Sequence, residues 1–276
     1  MAEVAARSYM STIIVVTNQK GGVGKTTTCA ALAGIFRQRG KSVLAIDLDP
    51  QGNLSFSLGA EDTGYTIHDV LKGDCEIHDA IKKTHICDVI TSNILLSGTE
   101  LELTSVNREY LLKEALAPLK KEYDYIILDT PPALSILTIN AYTAANDLII
   151  PMTPEILSLQ GIVQLKETIL AVKKYYNKKL NIRGIVLTKY NSKYLLTREV
   201  EEMVQIVADQ LKTEVLKNTI GISVAAAEAP AHQQTITVYS PKCAAARDYT
   251  KLCNYLYPCD DGDKKTKAVK KKQGKQ

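Results

Sequence analysis

The passage from residue 13 to residue 28 restricts the fold more than any other part of the chain. An unbroken apolar run, Ile13-Ile14-Val15-Val16-Thr17, leads into Asn18-Gln19-Lys20-Gly21-Gly22-Val23-Gly24-Lys25-Thr26-Thr27-Thr28, where a helix-period segment begins. A short run rich in β-branched residues favours a strand buried on both faces. Glycines let the main chain approach an anion with no Cβ in the way, and a helix start aims N–H groups and partial positive charge at the same point. Lys25 is placed to reach terminal phosphates, and the Thr26 hydroxyl to ligate a divalent cation. Strand, glycine loop, Gly-Lys-Thr and helix in this order read as a phosphate-binding loop, which requires a βαβ unit around it.

Further strands are predicted at Ser42–Asp47, Tyr125–Asp129, Asp147–Met152 and Ile182–Thr188. Helices are predicted at Thr26–Arg39, Arg108–Lys121, Ser158–Tyr175 and Leu196–Leu211, with a last one at Ala245–Tyr257 stopped by Pro258. Alternation of this kind gives right-handed crossovers. The fold class is α/β: a doubly wound, mainly parallel twisted sheet with helices on both faces. Ligands of such sheets bind beyond the carboxyl ends of the strands. Two predicted strands end there in carboxylates. One closes Ile46-Asp47-Leu48-Asp49-Pro50, and its Asp47 and Asp49 share a side if the strand continues. The other closes Leu128-Asp129-Thr130-Pro131-Pro132, an apolar strand ending in an acid suited to holding Mg²⁺ through water.

Composition narrows the class. The 276 residues are 45% hydrophobic, enough for one sizeable core, with Leu, Ile, Val and Ala supplying burial because Trp is absent and Phe scarce. No stretch of about 18 apolar residues occurs, and Met1–Tyr9 lack a signal-peptide core, so a cytoplasmic location is expected. The six cysteines form no Cys-x-x-Cys pair and read as reduced thiols packed as small hydrophobes. Seven Lys and three Asp in residues 260–276 carry the whole net charge of +4, leaving the body balanced. A nucleic-acid surface on the body must therefore come from clustering. The expected organisation is a short extension over residues 1–10, one domain over 11–258, and a disordered Lys-rich tail over 259–276.

The strict Gly-x-x-x-x-Gly-Lys-[Ser/Thr] pattern is not met, because Gln19 stands at its first glycine. Lys20-Gly21-Gly22-Val23-Gly24-Lys25-Thr26 instead resembles the deviant Walker A motif of the ParA/MinD superfamily. Asp47-Leu48-Asp49-Pro50-Gln51-Gly52-Asn53 looks like the ParA switch I segment, and Asp129-Thr130-Pro131-Pro132 like Walker B with switch II. The likeness to ParA/Soj partitioning ATPases runs from about Ser11 to Tyr257 and takes in Ser92–Gly98 and Tyr239-Ser240-Pro241-Lys242.

The resemblance implies a P-loop ATPase that uses ATP and Mg²⁺. Lys20, Gly21, Gly22, Val23, Gly24, Lys25, Thr26 and Thr27 would hold the nucleotide, with Thr26, Asp47 and Asp129 around the metal. Catalysis would fall to Lys20, Lys25 and Asp49: Lys20 crossing to the partner's phosphates in an ATP-sandwich homodimer, Asp49 positioning the attacking water. Implied partners are nonspecific DNA, hence association with the nucleoid, and a ParB-like protein that stimulates hydrolysis. The cargo would be a chromosome, plasmid or mobile element. Where relatives carry Ile-Pro-Arg-Asn, this chain has Ile220-Gly221-Ile222-Ser223, so Gly221 and Ser223 stand at the adenine positions. Ile222 and Ala225 replace basic residues of the relatives' DNA surface. Lys189, Lys193, Arg198, Lys242, Arg247 and Lys251, with Tyr190 and Tyr194 interleaved, are substitute candidates, as is the Lys264–Lys275 tail; each also fits a solvated surface. No helix-turn-helix segment precedes the loop, which argues against operator recognition.

Other functions of the superfamily fit less well. A MinD-like membrane-positioning ATPase needs a C-terminal amphipathic helix, for which the tail offers only Ala268 and Val269, so membrane binding is not expected. A reductase resembling the nitrogenase iron protein needs a cysteine where Thr130–Ala133 lies. A bacterial tyrosine kinase would rest on the thin cluster of Tyr249, Tyr255 and Tyr257.

Overall fold

A computed structural model describes residues 10–104, 106–193 and 195–259. The expectations for residues 1–9, for Tyr194 and for the lysines of the tail lie outside the described residues. Eight strands form one sheet: β1 (Thr12–Val16), β2 (Val43–Asp47), β3 (Ile81–Lys83), β4 (Asp88–Ile90), β5 (Tyr125–Asp129), β6 (Asp147–Met152), β7 (Asn181–Tyr190) and β8 (Val215–Gly221). Their order is β3-β4-β2-β5-β1-β6-β7-β8, parallel throughout except for the antiparallel pair β3–β4 at one edge. This is the doubly wound α/β fold expected of a P-loop NTPase.

The continuous apolar runs follow from burial on both faces. Ile13 and Val15 enter one hydrophobic cluster, while Ile14 and Val16 enter the other. In β2, Leu44 and Ile46 likewise face opposite to Val43 and Ala45. Residues of the helix Lys25–Gln38 and of the last helix, Ala244–Leu256, fill the cluster around Ile14. Those of helices Ile136–Ala144, Ile156–Tyr175 and Leu195–Leu211 fill the cluster around Ile13. Truncating such a buried Leu or Ile to Ala costs about 2–5 kcal/mol.

The helix predicted over Arg108–Lys121 is broken. It resolves into a 3₁₀ turn at Arg108–Tyr110, a helix at Leu111–Ala115 and a 3₁₀ turn at Pro118–Lys121. Pro118 has no N–H for a helical bond, and its ring excludes the preceding turn. Strand β8 went unpredicted because Lys217-Asn218-Thr219 interrupt its apolar pattern, as an edge strand tolerates. Helix Ile136–Ala144 was also missed; Ser135 caps its start, accepting from the Leu137 N–H at 3.2 Å. Among the described residues no helix is long and apolar enough to cross a membrane.

Register sets up the site. Strand β5 lies between β1 and β2, with Asp129 opposite both Val16 and Asp47. The phosphate loop and two strand-end carboxylates therefore meet at one edge of the sheet.

Candidate functional site

A cavity of about 770 Å³ opens at this edge. Gly21, Gly22, Gly24, Lys25, Thr26, Thr27, Asp49, Gln51, Asn53 and Pro132 line it. Apolar side chains, among them Ala30, Phe56, Ile220, Ile222, Ala226, Pro230 and Ile236, line it too, as do Gly221 and Ser223. The mixed lining suits a ligand with both an anionic and an apolar part.

The loop between β1 and the helix Lys25–Gln38 is set by backbone geometry. Gly24 caps the helix in the left-handed region (φ 87°, ψ 24°), where a β-carbon is strained. Val23 is fully buried and lies outside the cavity lining, anchoring the loop from within the fold. Lys25 is buried as well. Its Nζ donates to the Lys20 carbonyl at 3.1 Å, and desolvation lowers its pKa against the opposing pull of Asp129 and Asp49.

The carboxylates differ in how they are satisfied. Asp47 is fully buried: Oδ1 accepts from the Asp49 N–H at 3.1 Å, and Oδ2 from the Ser55 N–H and hydroxyl, both at 2.8 Å. Burial nonetheless pushes its pKa up to about 6. Asp129 accepts from the Thr26 hydroxyl at 2.6 Å through Oδ2, whereas its buried Oδ1 has no hydrogen-bond partner. Burial, with Asp47 adding like-charge repulsion, raises Asp129 to about 8. A buried acceptor without a partner costs about 1–3 kcal/mol, and a divalent cation between Thr26 and Asp129 would relieve it. The donors present, a hydroxyl and a carboxylate, are the hard oxygens that Mg²⁺ prefers. Both oxygens of Asp47 already accept hydrogen bonds, which suits support of the loop at Ser55 better than direct ligation. Asp49 lines the cavity and accepts from the Gln51 N–H at 3.0 Å within a turn closed by the Gly52 N–H.

Lys20 takes no part in the cavity lining. Its ammonium pairs with Glu155 and donates to the Ser158 hydroxyl at 3.1 Å. The hydrogen bond from Lys20 is the main reason the Glu155 carboxyl is held below its ordinary range. Asn18 prepares this geometry: its amide donates to the Pro151 carbonyl at 2.8 Å, and its side-chain oxygen accepts from the Lys20 N–H at 3.0 Å. Glu155 was not anticipated from the sequence. The signal for it was a carboxylate just past the carboxyl end of β6, where ligands of parallel sheets gather. Thr188 and Tyr249, which also line the cavity, were likewise missed. They sit far along the chain without a motif.

The basic candidates divide. Lys189 lines the cavity from a left-handed backbone position (φ 49°). Lys193, Lys242, Arg247 and Lys251 are exposed, with Arg247 and Lys251 one turn apart on the last helix. At Ile222 and Val224, 63% and 71% exposed, the surface beside the cavity is apolar.

The family model described as AAA domain matches residues 11–182. The sporulation initiation inhibitor protein Soj of Bacillus subtilis is 42% identical over 248 residues, covering 88% of this chain and 97% of that protein. The chromosome partitioning protein ParA of Caulobacter vibrioides is 37% identical, over 93% of this chain and 97% of its own length. Among solved structures, a cobyrinic acid a,c-diamide synthase of Mycobacterium smegmatis with bound ADP and magnesium superposes with a TM-score of 0.77. It is 35% identical and covers 91% of this chain and 97% of its own.

Proposed function

The chain belongs to the Soj/ParA family of chromosome-partitioning ATPases, and from that premise we propose an ATP-switched, DNA-binding partition motor whose active form is a homodimer. ATP with Mg²⁺ occupies the cavity at the carboxyl edge of the sheet, triphosphate on the loop 20–27 and base towards Gly221 and Ser223. The observation that carries this reading is the convergence of Lys25, Thr26 and Asp129, one of whose buried carboxylate oxygens lacks a partner. Bound there, Mg²⁺ would supply charge neutralisation at the phosphates. Thr26 and Asp129 would hold it, with Asp47 bracing the neighbouring loop through Ser55.

The protein's own groups do the remaining work. Lys25 offers a fixed positive charge to the terminal phosphates, and burial makes that charge costly unless an anion answers it. Asp49, held by its turn at the cavity wall, orients a water for in-line attack. Lys20 leaves Glu155 and reaches across to the phosphates held by a second protomer, as an arginine finger would. Dimerisation then depends on the triphosphate, because two ammonium groups approaching one interface need anions to balance them.

The dimer in turn carries DNA. Arg247, Lys251, Lys242 and Lys193 are the exposed cations that serve phosphate contacts, since the surface beside the cavity is apolar at Ile222 and Val224. Nucleoid association follows from that binding, and a ParB-like protein triggers hydrolysis and release. The organising domain is residues 11–258.

The test is sedimentation and DNA binding with Mg-ATP, Mg-ADP and neither, using unrelated duplexes across a salt series. We expect ATP alone to give dimers and DNA binding that falls steeply with salt. A protomer that stays single with Mg-ATP, or DNA binding indifferent to nucleotide, overturns the switch.

A further inference from the structure

We infer that Thr188, on β7, is a positioning residue for the phosphate loop, aiming the Gly24 N–H by holding the carbonyl that precedes it. The inference rests on the nucleotide reading above. The Thr188 hydroxyl donates to the Val23 carbonyl at 2.8 Å in a buried contact between residues 165 positions apart. Thr188 is 3% exposed, and β7 is two strands removed from β1. The bond therefore ties a loop to a distant, rigid part of the sheet.

The consequence follows from peptide geometry. In a trans peptide the carbonyl and the next N–H point in opposite directions within one plane, and no described peptide bond is cis. Drawing the Val23 carbonyl towards β7 turns the Gly24 N–H the other way, as a donor for a phosphate oxygen. The next peptide is held similarly. The Gly24 carbonyl accepts from the Thr28 N–H at 2.9 Å and from the Thr28 hydroxyl at 2.7 Å. That hydroxyl has spent its only proton, so in the 3.2 Å contact with Tyr249 the phenol is the donor. A β-carbon on Gly24 would come to 3.7 Å from the Thr188 methyl and 3.8 Å from the Tyr249 oxygen, so both side chains back the same glycine. Tyr249 is fully buried, and desolvation pushes its pKa up to about 12, which keeps the phenol protonated as a donor. The two hydroxyls form a strap on the loop, Thr188 holding the peptide before Gly24 and Tyr249 bracing the one after it through Thr28.

Thr188→Val keeps the shape and removes only the donor. The donor it aims answers a β-phosphate, so the readout is the ratio of ADP to AMP affinity, measured by competition against a fluorescent ADP. We expect Thr188→Val to weaken ADP roughly tenfold and AMP less than about twofold, as for one charge-assisted hydrogen bond misaligned. Thr188→Ser should restore ADP to within about twofold. Tyr249→Phe, one bond further from the loop, should give the same pattern at roughly threefold; it tests the strap should Thr188→Val fail to fold. Unchanged ADP affinity in the folded variants, or equal losses for ADP and AMP, overturns the positioning role while leaving nucleotide binding intact. Failure of the unaltered protein to bind ADP at all would instead remove the nucleotide reading, and this inference with it.

Discussion

Replacing Glu155 with Gln should strengthen the ATP-dependent dimer. In the single protomer the Lys20 ammonium is held by Glu155 and Ser158, and reaching a neighbour's phosphates means giving up those partners. The Lys20 side chain is 27% exposed and that of Glu155 55%, so solvent screens the pair. Ion pairs of this exposure are worth about 0.2–1 kcal/mol. A dimer with both lysines crossing would free two of them, so the substitution should remove an opposing term of about 0.4–2 kcal/mol and tighten dimerisation roughly 2–30-fold. Glu155 does not line the cavity, so nucleotide affinity of the single protomer should not change. It also precedes the helix Ile156–Tyr175, where losing a negative charge costs about 0.3–1 kcal/mol of stability, but equally in both association states. The assay is sedimentation velocity over a protein concentration series with a non-hydrolysable ATP analogue. The gap between variant and unaltered protein should shrink at high salt, because the pair it removes is screened. A Glu155→Gln dimer no tighter than the unaltered one would refute the view that Lys20 must be released to act.

Three further outcomes are expected. Lys20→Ala should bind ATP as a single protomer yet form no ATP-dependent dimer on a sizing column; a normal dimer would remove the crossing lysine. Asp49→Ala should accumulate as an ATP-loaded dimer with hydrolysis reduced at least about 100-fold, read by phosphate release, in line with loss of a water-orienting group. Asp129→Asn should abolish Mg²⁺-dependent hydrolysis while stabilising the protein in chelator. The Asp129 carboxyl has a folded pKa of about 8 against an ordinary 3.8, so the folded state holds the extra proton and metal-free stability falls as pH rises from about 4 towards 8. Removing the charge should flatten that slope and raise the melting temperature at pH 8.5 by several degrees, at about 2–4 °C per kcal/mol for a chain of this size. A lower melting temperature at that pH would refute the strain.

Some of this could be read from residues alone because it is local. The Gly21–Thr26 loop announces itself by a motif spanning eight or so positions, and strands β1, β2, β5, β6 and β7 are apolar runs too continuous to be anything but buried. Asp47 and Asp129 were legible as strand ends. Their difference in role was not, because it depends on Ser55 and the Asp49 N–H, which together bond both oxygens of Asp47, while one oxygen of Asp129 has no partner. Strand β8 was hidden by polar residues that an edge position permits, and the break at Pro118 by a periodicity that carried on past it. Glu155, Thr188 and Tyr249 reach the site only through tertiary packing, across separations of 135, 165 and 221 residues in their contacts with Lys20, Val23 and Thr28. No pattern at short range could have paired them.

The strengths of these contacts are ordered in a way a switch requires. The loop is tied by buried hydroxyl bonds at Thr188 and Thr28, so its shape does not wait for ligand. Lys25 is desolvated and Asp129 keeps a buried oxygen without a partner, which makes the empty site expensive and nucleotide with its cation the relief. Lys20 alone is held by an exposed pair worth little, so it is the group most easily exchanged. Were the order reversed, with Lys20 buried against Glu155 and the loop free, ligand binding would be spent on shaping the cradle and none would remain to bring protomers together. A rigid cradle with one loosely held cation lets the triphosphate be felt at the surface where a second protomer would meet it.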